Sequence, residues 1–78
     1  LETTVFEVNG VQIPVDGEEL CNALEQLSER KRNILLMRYF LEMSDVEIAE
    51  LLNITDRTSL RNRKSALQQM KEILGKEE

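Results

Sequence analysis

Residues Thr3 to Val8 and Val11 to Val15 are two stretches rich in β-branched and aromatic side chains. Asn9-Gly10 between them is the dipeptide that best accepts the two positive φ angles of a type I′ turn, so the pattern predicts a β-hairpin. Pro14 cannot donate a ladder hydrogen bond and is expected at a strand end or on an edge. Two strands alone are marginal in water, so Val5, Ile13 or their neighbours must pack on the helices or on a second copy of the chain. From Asp16 onward the period changes from two to about 3.6. Leu20, Ala23, Leu24 and Leu27 mark a first helix over about Glu18 to Gln26, opened by acidic residues that suit a helix N-terminus. Ser28 caps a second helix in which Ile34, Leu35, Leu36, Met37, Tyr39 and Phe40 leave few polar positions, and which should be the most buried. Ser44-Asp45-Val46-Glu47 fits the capping box and opens a short helix to Leu52. Asn53 adopts a left-handed conformation cheaply, and Thr55 can cap the next helix. That last helix carries Leu60, Leu67, Met70 and Leu74 along one side and frays from Gly75 onward. The expected architecture is mostly α: a hairpin extension over residues 1–15, then a four-helix domain over 16–78 containing helix, tight turn, helix. Ala49 is small where the last two helices cross, Ile48 and Leu52 face inward, and Ile54 plugs the turn.

Composition narrows the chemistry. With 78 residues, 41% of them hydrophobic and 32% charged, the chain supports one small core and no large catalytic cleft. Histidine is absent and Cys21 is the only cysteine, which removes the commonest metal ligands and the usual general base. We therefore expect no enzyme activity, no cofactor and no metal, with Ser28 and Ser44 acting as caps rather than nucleophiles. The lone thiol reads as a small core residue and fits a reducing cytoplasm. No apolar run approaches the roughly 20 residues of a membrane span and no basic-then-apolar leader is present, so a soluble cytoplasmic protein is expected. The start at Leu1 reads as a trimmed or processed end.

A formal charge of −5 and a pI near 4.8 argue, taken alone, against nucleic acid. The distribution reverses that inference. Residues 1–27 hold six carboxylates and no base, whereas Arg30, Lys31, Arg32 and Arg38 make the second helix basic. Glu42, Asp45, Glu47 and Glu50 make the third acidic, and Arg57, Arg61, Arg63, Lys64 and Lys71 against Asp56 make the last one basic. Screening at physiological salt acts over about 8 Å, so a basic face can hold phosphate although the whole molecule is acidic. Thr58, Asn62 and Ser65 interleave with the bases where a merely solvated helix face would carry alternating glutamates.

The stretch from Leu27 to Leu74 resembles region 4 of sigma-70-type RNA polymerase sigma factors. The resemblance rests on Leu-Ser-Glu-Arg opening one helix, Arg38-Tyr39-Phe40 closing it, Ser44 before Glu47-Ile48-Ala49-Glu50-Leu51-Leu52, then Thr58 and Ala66-Leu67. It is most similar to the short, region-4-only sigma-like proteins of mobile elements in Gram-positive bacteria. The resemblance implies that the last helix reads a promoter −35 element in double-stranded DNA and that the first helices bind the β flap of RNA polymerase. By position, Asp56, Arg57 and Arg61 match base-contacting sites, while Arg30, Arg38 and Ser44 match sites near phosphates. Arg57 and Arg61 suit guanine O6/N7. Asp56 either accepts from cytosine N4 or, the better reading, favours the helix dipole. Arg30 also reads as a plain solvated arginine.

Two departures bear on the site. Asn53 stands where the family has glycine, and Ser59-Leu60 reverses the family's aliphatic-then-polar order. If Leu60 points to the core, the groove face carries Arg57, Thr58, Arg61, Asn62, Lys64 and Ser65. If Ser59 keeps the buried position, Leu60 is exposed and can touch a thymine methyl or a partner. Nothing resembles the core-polymerase-binding and −10-reading region of a complete sigma factor, so the chain alone should not melt a promoter. The leading expectation is a sequence-specific DNA-binding regulator acting with RNA polymerase or with a separate sigma-like protein, with a homodimer as the other source of added affinity. The alternative is a protein-interaction module, anti-sigma-like or a polymerase-flap ligand, that keeps the fold without binding DNA. A LuxR-type output domain shares the Glu-Ile-Ala-Glu helix but not the Arg-Tyr-Phe ending or the hairpin.

Overall fold

The structure is a computed structural model that describes residues 3–75. The elements run β1 (Thr3–Val8), β2 (Val11–Asp16), α1 (Glu18–Glu25), α2 (Glu29–Tyr39), α3 (Asp45–Leu52) and α4 (Asp56–Gly75). The order and type match the sequence reading, with each boundary within one residue. The expected fraying after Gly75 lies outside the described residues.

Strands β1 and β2 pair antiparallel from Thr3↔Asp16 to Val8↔Val11. Asn9 (φ 49°) and Gly10 (φ 81°) supply the two left-handed turn residues, the backbone that closes a two-residue hairpin with the twist of its strands. Side chains alternate across a strand, so Phe6, Val8, Ile13 and Val15 face the helices and are buried. Val5 has the opposite parity and is exposed, which corrects its expected place in the packing. The hairpin therefore closes on the helices of its own chain, through contacts of β2 with α1 and β1 with α2. Cys21 is buried beneath it and its thiol donates to the Val15 carbonyl at 3.2 Å.

Helix α2 forms the centre, with Ile34, Leu36 and Met37 excluded from solvent. Ser28 caps it by accepting from the Lys31 N–H at 3.4 Å. Its last residues depart from the expectation of burial. Tyr39 and Phe40 are exposed, because the helix stops at Tyr39 and the chain reverses through Glu42 at φ 57°. Helix α4 packs against α1, α2 and α3 and completes the core with Ala66 and Met70. Among the described residues no helix is long and apolar enough to cross a membrane.

Candidate nucleic-acid interface

The helix-turn-helix is built by local hydrogen bonds that the sequence specifies. Ser44 Oγ accepts from the Glu47 N–H at 3.1 Å, and Glu47 Oε1 accepts from the Ser44 N–H at 2.8 Å, a complete capping box. Those bonds to the charged form hold the Glu47 carboxyl below the ordinary glutamate range. Helix α3 ends at Asn53, whose left-handed backbone (φ 57°, ψ 48°) does what a glycine would do there. Ile54 N–H then donates to the Ala49 carbonyl at 3.0 Å. Thr55 Oγ1 accepts from the Thr58 N–H at 3.1 Å and starts α4. Ile48 and Ala49 are buried, while Leu52 and Ile54 are half-buried at the edge of the contact.

The rotation of α4 is fixed by Ser59. It is fully buried, whereas Leu60 is 36% exposed, so the serine takes the inward position and Leu60 leaves the apolar stripe. The physical reason is helical spacing: Ser59, Arg63, Ala66 and Met70 recur at intervals of four, three and four residues, one line along the helix, and Leu60 lies about 100° away. Its hydroxyl is buried without a hydrogen-bond partner among the described residues.

This rotation sorts the basic residues. Arg57, Arg61 and Lys64 are exposed on the side opposite the core. Thr58 and Ser65 are half-buried along one flank. Asn62 lies closer to the core, and its Nδ2 donates to the Thr58 carbonyl of its own helix at 2.8 Å. Asp56 is exposed in the first turn, where a carboxylate complements the helix dipole.

Arg63, counted with the basic face on sequence grounds, is turned to structural use. Its Nε donates to Asp45 Oδ1 at 2.8 Å and its second terminal nitrogen to Oδ2 at 3.0 Å, a two-pronged pair tying α4 to the start of α3. Tyr39 Oη accepts from the same guanidinium at 3.3 Å. Only 18% of the Arg63 side chain is exposed, and the bonds to Asp45 raise its pKa further. Sequence reasoning missed this cluster of Asp45, Tyr39 and Arg63, which joins the end of α2, the start of α3 and α4.

The residues expected near phosphate divide by position. Arg38 and Ser44 are brought together at the junction of α2, α3 and α4. Arg38 Nε lies 3.9 Å from Asp45 Oδ1 with no hydrogen-bond partner among the described residues, and its guanidinium sits 5.5 Å from the Tyr39 ring centre. Arg30 is exposed in the first turn of α2, about 12 Å along the axis from Arg38. The other bases of α2 are engaged within the fold: Lys31 Nζ donates to Gln69 Oε1 at 3.0 Å, and Arg32 stacks 5.7 Å from the Phe6 ring centre.

A comparison with curated proteins found no match. The family model described as Sigma-70, region 4 matches residues 18–70, from the first turn of α1 into the last third of α4 and without the hairpin. With that match covering α1, α2, α3 and most of α4, the chain belongs to the sigma-70 region 4 family.

Proposed function

We propose that the chain is a sequence-specific transcription regulator that reads a −35-like element with α4 in the major groove and works with RNA polymerase through its β flap, or with a separate sigma-like protein. The observation that carries this reading is the division of labour on α4. Arg63 is neutralised by Asp45, while Arg57, Arg61 and Lys64 project outward without partners among the described residues. Free guanidinium groups on the outer face of a groove-entering helix suit guanine edges. Arg57 and Arg61 are the primary base readers in this proposal. Lys64, Thr58 and Ser65 serve at the margins, and Asn62 contributes only by exchanging its backbone bond for a base. Arg38 and Ser44 hold one phosphate at the α3 N-terminus, and Arg30 meets the backbone at a separate point. The reading carries with it a bacterial, cytoplasmic setting and a non-enzymatic role.

Polymerase contact is supported by an open apolar groove of about 280 Å³ between α1, α2 and α4, with Leu20, Leu24, Tyr39, Phe40 and Met70 among its walls. The same groove favours the second reading, a protein-interaction module that does not bind DNA. Selection of bound duplexes from a random pool, with and without polymerase, separates the two. Recovery of a −35-like motif supports the regulator, while no enrichment at low salt together with retained polymerase binding supports the interaction module.

A further inference from the structure

The hairpin holds an unused backbone edge. Val8 faces Val11 across the two-residue turn, so the hydrogen-bonded pairs fall at Val8–Val11, Phe6–Ile13 and Thr4–Val15. The N–H and C=O groups of Thr3, Val5 and Glu7 therefore point away from β2, and those of Gln12 and Asp16 point away from β1. The two outer edges differ. Pro14 removes the central donor from the edge of β2, whereas the edge of β1 keeps every donor, and no hydrogen bond among the described residues reaches its backbone. Val5, at the middle of that edge, is 56% exposed, more than any other large hydrophobic residue described.

We infer that β1 is the surface on which a second copy of the chain docks, joining two hairpins into one four-stranded antiparallel sheet about a two-fold axis at Val5. The register follows from parity, because only Thr3, Val5 and Glu7 present outward groups. Centring on Glu7 sets two carboxylates face to face over only Phe6 to Val8, pairing Val5 with Glu7 sets each carboxylate against an apolar side chain, and pairing Thr3 with Val5 or centring on Thr3 overlaps no residue of β1 beyond Val5. Centring on Val5 overlaps Thr3 through Glu7, sets valine against valine, sets each Glu7 beside a threonine and forms about six inter-chain backbone bonds. This self-complementarity makes a second copy the occupant. The interface is small and the first half of the chain is acidic, so the dimer is weak and tightens as salt screens the repulsion. The inference does not depend on DNA binding.

Sedimentation equilibrium of the full chain over a range of concentrations and salt tests it. The expected result is a monomer–dimer equilibrium. Val5→Pro removes an outward donor and no bond of the hairpin, since Val5 faces Pro14 at a non-hydrogen-bonded pair. It should keep the wild-type melting curve and weaken the dimer roughly tenfold or more. Val5→Lys, which puts two ammonium groups at the axis without touching the backbone, should weaken it as well and decides the matter if the proline variant misfolds. Thr3→Lys, which faces Glu7 of the second copy twice, should tighten the dimer roughly fivefold. A wild-type chain that stays monomeric at millimolar concentration would overturn the inference. So would a dimer indifferent to both Val5 variants, or one that Thr3→Lys does not tighten.

Discussion

The hairpin and the helix-turn-helix are each two elements joined by a tight turn with a left-handed asparagine, Asn9 in one and Asn53 in the other. They differ in what they leave free. In the helix-turn-helix, Asp45 is committed to Arg63 across the two helices, with Tyr39 at the end of α2 joining the same guanidinium, and the groups left over on the outer face of α4 include the guanidinium groups of Arg57 and Arg61 and the Lys64 ammonium. In the hairpin the side chains are ordinary and the backbone is left over, along one edge of β1. The contrast teaches where to look for function in so small a domain. The groups to test for partner binding are those the fold has not already used.

The largest expected effect lies in the core. Ile48→Ala removes a fully buried side chain between α3 and α4 and should cost about 2–5 kcal/mol in a chemical melt. Val5→Ala, on the exposed hairpin face, should stay within about 0.5 kcal/mol; similar losses at both sites would mean that burial is not distributed as described. Asp45→Ala leaves Arg63 without its partner and should cost about 1–2 kcal/mol, the value for a charge-assisted pair reduced for partial exposure. Duplex binding should fall as well, because the angle between α3 and α4 is no longer fixed; Asp45→Glu should restore part of both. In the opposite direction, Ser59→Ala removes a buried hydroxyl without a partner and should stabilise the fold by about 1 kcal/mol. A loss there would show that the hydroxyl is satisfied in solution.

The smallest expected effect is on pH. The Glu47 carboxyl is held below its ordinary value by the bonds to Ser44, so the capping box contributes fully above about pH 5 and fades as the pH falls through the lowered value. Wild type and Glu47→Gln should therefore converge in stability toward low pH. A difference that does not change with pH would remove the carboxylate from the account.

Most of the fold was legible because it is written in local signals. Asn9-Gly10, the Ser44–Glu47 box, Asn53 and Thr55 each act within four residues of themselves, and all appear where the sequence puts them. The Asp45–Arg63 pair spans 18 positions and two helices, and no periodicity encodes it. A trace existed, since Arg63 falls on the line of Ser59, Ala66 and Met70 and so had to point inward. The same line resolves the reversed Ser59-Leu60 order, but only once the core-facing side of α4 is known. Parity likewise separates Val5 from Phe6 and Val8. Tyr39 and Phe40 misled because apolar character was read as burial at a helix end where the chain turns away.

In the proposed function Arg61 reads bases while Arg63 holds the helix that presents it. This assignment is tested most directly by duplex-binding titrations of Arg61→Ala on a selected duplex and on a random one. A loss of about 1–3 kcal/mol on the selected duplex with little change on the random one is predicted; equal losses on both would contradict it.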